Sequence, residues 1–401
     1  MNPQARTSSS DQSAVRAFRV DVPDAALTEL RRRIKSTRLP EKEPVADMSQ
    51  GFPLATLEKL ARYWANEYDW RKVEAKINAF PNFITQIDGL DIHFIHARSK
   101  HENALPIILT HGWPGSVVWH LKIIESLTNP TAHGGSAADA FHVVVPSLPG
   151  YGFSGKPTST GWGPERIART WAVLMNRLGY TRYVAQGGDW GAIITDLMAA
   201  QAPPGLIGMH TNMPCVVPPE IDPLLWAGSA LPSGLSADER LACDMLAVAY
   251  QNVRYAFYMA SRPQTLYAIA DSPVGLAAWL HDPINLDMVV RSFDGVPEGL
   301  TRDDVLDNCT LFWLTNTGVS AARLYRENTF NYFTPKGVNI PVAVSVFPDE
   351  LYQAPRSWTE QAYPKLVHFN KVANGGHFAS WEQPKLFVEE VRAGFKSLRT
   401  Q

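Results

Sequence analysis

The amino-acid sequence predicts an α/β fold in which a mostly parallel central sheet is interrupted by a helical lid and preceded by a helical N-terminal segment. Apolar strand-like runs alternate with helical stretches through residues 83–214, as in parallel sheets whose strands are joined by helices. Residues 215–335 are instead helical and rich in aromatic residues, and alternation returns at 336–401. An all-helical insertion at this point is typical of a cap over the carboxyl ends of the strands.

The residues before the first predicted strands form two parts. Residues 1–14 are polar and rich in Ser and Gln, which predicts a flexible N-terminus without the apolar stretch of a signal peptide or membrane anchor. Residues 15–82 contain two helical patterns, 24–36 with Asp24 as N-cap and 54–67. We therefore expect a cytoplasmic protein with no membrane anchor.

Composition excludes several classes of function. With 401 residues, of which 45% are hydrophobic and 19% charged, the chain can bury a large core. A formal net charge of −2 predicts no nucleic-acid partner. The cysteines Cys215, Cys243 and Cys309 lack the spacing of a metal site or redox pair, so we expect reduced thiols, no metal and no cofactor.

A glycine-rich turn at residues 186–191 carries the first candidate for catalysis. It reads Gln-Gly-Gly-Asp-Trp-Gly, after a strand-like run and before a helical pattern at 193–200. Small residues let a strand-to-helix turn close tightly and expose its central side chain, as in a nucleophile elbow. Asp189 is therefore a candidate nucleophile. An ordinary Asp-Gly turn or a helix N-cap explains the same letters, so the other motifs must decide.

A carboxylate nucleophile restricts the reaction. A serine that attacks a saturated carbon becomes an ether, whereas an aspartate forms an alkyl ester that water can cleave at the carboxylate's own carbonyl carbon. Asp189 therefore indicates opening of an epoxide or displacement of a halide, rather than cleavage of a peptide or carboxylic ester.

A second turn, His-Gly-Trp-Pro-Gly at residues 111–115, follows an apolar strand-like run. In this architecture the oxyanion hole uses the backbone N–H after the nucleophile and one N–H from such an upstream loop. The candidates are the N–H groups of Trp190 and Trp113.

A histidine and an acid follow in the order nucleophile, acid, histidine. His377 lies on a loop after the strand-like residues 366–372. The acid should follow the strand predicted at 340–347, where Asp349 and Glu350 are both available. Either carboxylate can accept the imidazole N–H and stabilise imidazolium, and the local pattern leaves both open.

Together these motifs resemble the microsomal-type epoxide hydrolases, including soluble fungal and bacterial forms, over nearly the whole chain. The resemblance rests on the turns at 111–115 and 187–191, on Gly-Gly-His-Phe at 375–378, and on Tyr-Asp-Trp-Arg at 68–71 and Asn-Ala-Phe-Pro at 78–81. It implies an α/β hydrolase fold whose N-terminal epoxide hydrolase segment wraps the core and lid. It also implies that Glu350, rather than Asp349, is the acid.

The same resemblance places two lid tyrosines, Tyr255 and Tyr325, in the site. The leaving alkoxide of an epoxide is a strong base, and two phenols can hydrogen-bond the ring oxygen and supply a proton as the bond breaks. The predicted activity converts a small-molecule epoxide and water to a vicinal diol through a covalent aspartyl ester. Such an activity serves detoxification or aromatic-hydrocarbon catabolism, and an exposed cap permits a homodimer.

Two other functions share part of the pattern. A haloalkane or haloacid dehalogenase uses the same aspartyl ester, but a halide needs N–H donors and no proton, which leaves the tyrosine pair without a purpose. A non-catalytic, ligand-binding member of the superfamily usually lacks part of the catalytic set, whereas this chain retains every part.

Overall fold

The structure is a computed structural model that describes residues 13–292 and 299–399, with the backbone alone at 283–291. The predicted flexible N-terminus, 1–14, lies outside the described residues except for its last two.

Nine strands in the described ranges form one sheet. In chain order they are β1 (Arg16–Phe18), β2 (Asn82–Ile87), β3 (Leu90–Ala97), β4 (Leu105–Thr110), β5 (Phe141–Pro146), β6 (Tyr183–Gly187), β7 (Leu206–Thr211), β8 (Val342–Val346) and β9 (Leu366–Lys371). Across the sheet the order is β1-β2-β3-β5-β4-β6-β7-β8-β9. In this order, neighbouring strands pair in parallel from β5 through β4, β6, β7 and β8 to β9. At the other edge, β1, β2 and β3 pair antiparallel. The predicted mostly parallel sheet is confirmed.

Helices cover both faces of the sheet and form the lid. In chain order they are α1 (Asp24–Lys35), α2 (Leu54–Asn66), α3 (Trp70–Asn78), α4 (Leu121–Thr128), α5 (Pro164–Arg177), α6 (Trp190–Gln201), α7 (Asp222–Ala227), α8 (Ala237–Asn252), α9 (Arg254–Ser261), α10 (Tyr267–Asp271), α11 (Pro273–Ser292), α12 (Arg302–Thr315), α13 (Gly318–Glu327), α14 (Arg356–Ala362), α15 (Ala379–Glu382) and α16 (Pro384–Gly394). Helices α7 to α13 lie between β7 and β8 in the chain and make up the helical insertion.

The central strands are apolar because both of their faces are covered. In β4, Ile108 packs into the same buried cluster as residues of α5 and α6, and the adjacent Ile107 and Leu109 pack with residues of α4 and α16. Side chains of a strand alternate between its two faces, so a strand buried on both sides reads as a continuous apolar run.

Helix α1 shows how spacing determines which face is buried. Leu27, Leu30 and Ile34 follow the helical repeat and are buried. The predicted N-cap at Asp24 is wrong: Pro23 occupies that position, and Asp24 is the first helical residue. The Pro23 carbonyl already accepts from the N–H groups of the first turn, and the Asp24 carboxylate instead pairs with Arg71 at 2.5 Å.

The N-terminal segment is hydrogen-bonded to the lid through α12. Tyr63 donates to Asp303 at 2.7 Å and Trp64 Nε1 donates to Thr310 at 2.9 Å. Tyr68 donates at 2.8 Å to Asp307, which lies one helical turn after Asp303 in α12. Burial raises the pKa of the Asp307 carboxyl to about 7. These contacts tie α12, which also reaches the active site, to the N-terminal helices.

Candidate active site

Asp189 occupies a strained turn between β6 and α6. Its backbone has φ 54° and ψ −130°, a conformation that residues other than glycine rarely adopt. The turn closes this tightly because its neighbours have no Cβ atom. A Cβ on Gly187 would lie 2.0 Å from the Gly191 carbonyl oxygen, and one on Gly191 would lie 1.9 Å from that of Thr110. The geometry is that of the predicted nucleophile elbow.

The Asp189 carboxylate is held by groups from two other loops. The Trp113 N–H donates to Oδ1 at 2.6 Å, and the His377 Nε2 atom lies 3.2 Å from Oδ2. Gly112 is required here because a Cβ at that position would lie 2.0 Å from Oδ1. Of the two predicted oxyanion donors, Trp113 already contacts the carboxylate. The Trp190 N–H is the first of α6 and directly follows Asp189.

The acid partner of His377 is Glu350. Its Oε1 atom lies 2.5 Å from His377 Nδ1 and also accepts from the Leu351 N–H at 2.8 Å. Glu350 is buried, with 3% of its surface exposed, whereas Asp349 is exposed and its backbone pairs with Gly376. Of the two acids that the local sequence left open, the structure places only Glu350 against the imidazole.

His377 lies between two carboxylates. Burial alone would lower the pKa of the imidazole, but the charges of Glu350 and Asp189 outweigh it and raise that pKa well above its usual value. Both carboxylates therefore favour the protonated form of the ring. If Asp189 were esterified its charge would disappear, and the His377 pKa would fall because one of these contributions would be lost.

Tyr255 from α9 and Tyr325 from α13 line the same pocket as Asp189. The Tyr255 ring stacks on Trp113 at a centroid distance of 5.0 Å, and Tyr325 meets Trp190 edge-to-face at 4.8 Å. The two tyrosine rings are 6.1 Å apart. Burial, with the charge of Asp189 adding to it, raises the pKa of both phenols. Both phenols therefore keep their protons at neutral pH and can donate.

A pocket of about 440 Å³ opens beside these groups. Its lining is mostly apolar and comes from the core and the lid: Asp189, Trp190, Ile193, Met213, Trp226, Val253, Tyr255, Ala256, Tyr325, Tyr332, Phe333 and Leu351. The carboxylate and the phenols are the polar side chains in that wall. Such a site suits a small apolar molecule with one reactive polar atom.

Two further residues support the site, and the sequence assigned a role to neither of them. Asn308 of α12 donates to the Pro114 carbonyl at 2.6 Å and accepts from Ser116 at 2.8 Å, which fixes the loop that presents the Trp113 N–H. His111 accepts from the Leu148 N–H at 3.2 Å, while its Nδ1 lies 3.0 Å from the Gly112 carbonyl oxygen. His111 belongs to a recognised motif, but no sequence signal marks Asn308 within its helix.

Among residues 13–292 and 299–399, no group of three or more His, Cys, Asp or Glu side chains is arranged to hold a metal ion. The helices of those ranges also include none with the length and apolarity needed to cross a membrane. The cytoplasmic location and the homodimer stay predictions from the sequence.

Two family models match the chain. The model described as the epoxide hydrolase N terminus matches residues 15–119, and the model for the alpha/beta hydrolase fold matches residues 106–234. The first match includes the N-terminal helices and the loop that carries Trp113, and the second includes the Asp189 turn.

Individual relatives agree over nearly the full length. A Stigmatella aurantiaca chain provisionally named an epoxide hydrolase is 52% identical over 387 residues, 96% of this chain and 85% of its own. Epoxide hydrolase 1 of Sus scrofa is 34% identical over 97% of this chain and 90% of its own. The crystal structure of the juvenile hormone epoxide hydrolase of Bombyx mori superposes with a TM-score of 0.85 at 30% identity, covering 98% of this chain and 96% of that one. The chain is a member of the epoxide hydrolase family with the α/β hydrolase fold.

Proposed function

We propose that this protein hydrolyses an epoxide to a vicinal diol in two steps through a covalent ester on Asp189. One observation carries the proposal: the Asp189 carboxylate lies between the Trp113 N–H and the His377 ring, beside an apolar pocket whose wall includes Tyr255 and Tyr325. A carboxylate so placed can bond to a saturated carbon, and the adjacent histidine can then activate water to cleave the ester.

In the first step one oxygen of the Asp189 carboxylate attacks an epoxide carbon. The bond between that carbon and the ring oxygen breaks, and its electron pair stays on the oxygen. Tyr255 and Tyr325 hydrogen-bond this oxygen, and one of them transfers its proton to it. The step produces a hydroxyalkyl ester of Asp189 and one tyrosinate.

In the second step His377 takes a proton from water, and the water oxygen attacks the ester carbonyl carbon. The N–H groups of Trp113 and Trp190 stabilise the oxyanion. Collapse breaks the bond to the alkyl oxygen, which takes the proton from imidazolium and leaves as the diol. The Asp189 carboxylic acid returns its proton to the tyrosinate, so that one water is consumed and every group is restored.

The pocket supports a small, largely apolar epoxide, either aromatic or aliphatic, as the substrate class. Its wall includes Trp226, Tyr332 and Phe333, which can pack against an aromatic or alkyl substituent while the epoxide oxygen faces the tyrosines. Detoxification and aromatic-hydrocarbon catabolism are the proposed settings for such a substrate. Neither the dehalogenase nor the non-catalytic alternative accounts for paired phenols opposite an intact carboxylate and histidine.

A single turnover in oxygen-18 water tests the proposal. With enzyme in excess over styrene oxide, the label should enter the Asp189 carboxylate and be absent from the first diol, because water attacks the ester carbonyl. Mass spectrometry of the peptide that contains Asp189 and of the diol gives the result. Label in the diol of the first turnover would mean direct attack of water on the epoxide and would exclude the ester.

Replacing both tyrosines is expected to slow ester formation more than replacing either one. Each of Tyr255→Phe and Tyr325→Phe should slow it by roughly 10- to 100-fold, and the double variant by more than the product of the two single losses, because one phenol can still supply the proton in either single variant. Stopped-flow fluorescence of the nearby tryptophans measures the step. Tyr258→Phe, at an exposed tyrosine of the same helix α9, is the matched control. A loss of rate in the double variant no larger than the product of the two single losses would argue against shared donation.

Substitutions of the adjacent acids Glu350 and Asp349 should differ sharply in their effect on the rate of ester hydrolysis. Glu350→Gln is expected to slow ester hydrolysis on the order of 10²- to 10⁴-fold, because an amide cannot stabilise the imidazolium that forms. Asp349→Asn should change the rate by less than about twofold, since that side chain is exposed and does not contact His377. Steady-state kinetics on both variants decides. A larger loss from Asp349→Asn than from Glu350→Gln would reverse the assignment of the acid.

A further inference from the structure

A second cavity borders the Asp189 turn. It shares no lining residue with the substrate pocket. His377 and Gly188 line it, so it reaches the histidine and the residue that precedes Asp189. Trp119, His120, Gln186 and Asn212 complete most of its polar wall, and we call it the polar chamber.

The polar chamber carries buried polar atoms that no protein group satisfies. Trp119 Nε1, both ring nitrogens of His120 and Gln186 Oε1 have no hydrogen-bond partner among the described residues. All three residues are at least nine-tenths buried, with exposed fractions of 4%, 4% and 1%. Buried polar groups are normally hydrogen-bonded to protein or to ordered water, so several orphaned atoms in one cavity indicate a bound polar molecule.

The donors and acceptors of the chamber complement water. Burial lowers the pKa of His120 to about 3, so its ring is neutral, with one nitrogen donating and the other accepting. With the Trp119 N–H and the Gln186 carbonyl, the wall offers two donors and two acceptors. Water needs the same number of each, and the cavity has room for about one water molecule.

The chamber is connected to the groups proposed for ester hydrolysis. Gln186 Nε2 donates to Asn212 Oδ1 at 3.1 Å, and Asn212 Nδ2 lies 3.5 Å from Glu350 Oε2, the carboxylate that holds His377. The substrate pocket, by contrast, is lined mostly by apolar side chains and excludes water when an alkyl group fills it. Hydrolysis of each ester nevertheless consumes one water.

We infer that the polar chamber binds the hydrolytic water and supplies it to His377 without passage through the substrate pocket, with His120 and Gln186 as its positioning residues. The inference rests on the proposed function. A water from the chamber gives its proton to His377, and its oxygen bonds to the Asp189 carbonyl carbon. A second water then refills the chamber while the diol leaves through the substrate pocket.

The test is His120→Phe, which keeps a planar ring but removes both nitrogens. Single-turnover kinetics should show ester hydrolysis slowed at least about tenfold with ester formation changed less than about twofold, so that the ester accumulates. His120→Gln, which retains a donor and an acceptor, should recover most of the hydrolysis rate. A loss of stability alone would lower both rates together, and equal effects on the two steps, or none on hydrolysis, would overturn the inference.

A high-resolution crystal structure of the wild-type protein tests the chamber even if His120→Phe does not fold. An ordered water should lie within hydrogen-bonding distance of His120 and Gln186, and its absence would also overturn the inference. The ester mechanism and the role of the polar chamber can fail separately. Label in the diol of the first turnover in oxygen-18 water removes the proposed ester mechanism, whereas an intact ester mechanism with unchanged His120→Phe kinetics removes only the role of the chamber.

Discussion

Asp189→Asn is expected to reduce diol formation by at least about 10⁴-fold, because the variant can form no ester and leaves the histidine without a substrate. The amide has nearly the shape of the carboxylate and can still accept from the Trp113 N–H, which now holds Oδ1 at 2.6 Å. The fold should therefore persist. Relief of charge at a strained position can even raise the melting temperature, as often happens when an active-site group is replaced.

Two measurements make this expectation specific to the nucleophile. After incubation with epoxide and an acid quench, intact-protein mass spectrometry should find an adduct on the wild-type protein and none on Asp189→Asn. The pKa of His377, followed by NMR, should fall in the variant because the Asp189 charge that helps to raise it is gone. Asp244→Asn, at an exposed position of α8, is the matched control. Retention of a tenth or more of the wild-type activity would rule out Asp189 as nucleophile.

The overall fold was accessible from the sequence because its signals are periodic. Central strands such as β4 are buried on both faces and read as apolar runs, and the change to a helical, aromatic-rich pattern marks the insertion of α7 to α13. The start of α1 shows a limit of predicting helix ends from the local sequence. An aspartate at that point fits an N-cap, but the proline before it already accepts from the first-turn N–H groups, and the carboxylate pairs with Arg71 from a distant part of the chain.

The candidate site was likewise predictable from the sequence only in part. Motif order alone was enough to associate Asp189 with His377, which lie 188 residues apart in sequence and 3.2 Å apart in space. Separating Glu350 from Asp349 requires knowing which of two adjacent side chains turns inward, and that depends on how their loop pairs with the loop carrying Gly376. The sequence around these two acids does not contain this information, and only the family resemblance supplied it.

Residues that act through tertiary contacts left no mark in the sequence. Asn308 is one polar residue in a helix that is buried along most of its length, and its importance lies in holding the Pro114 carbonyl, 194 residues earlier. His120 likewise resembles any histidine before an amphipathic helix. Its two unsatisfied nitrogens become evident only when the walls of the polar chamber are assembled from separate loops.

His377→Gln should trap the ester that the wild-type enzyme forms only transiently. Ester formation requires Asp189 and the tyrosines, and a glutamine amide can still donate to the Asp189 oxygen that now lies 3.2 Å from the imidazole. We therefore expect its rate to stay within about tenfold of wild type, while hydrolysis falls on the order of 10³-fold or more for lack of a base. About one equivalent of epoxide should be consumed, with almost no diol released. His133→Gln, at an exposed histidine, should behave as wild type.

The pH dependence of hydrolysis separates loss of the base from loss of structure. In the wild-type enzyme the rate should rise with pH as His377 loses its proton and then level off. The midpoint should lie below the His377 pKa of the free enzyme, because esterification removes the Asp189 charge that helps to raise it. In His377→Gln the residual rate should follow hydroxide concentration without levelling off. The trapped adduct should increase the protein mass by that of the epoxide and map to the peptide containing Asp189. An inactive but folded variant that binds epoxide and accumulates no adduct would show that His377 acts before the ester forms, which contradicts the proposed division of the two steps.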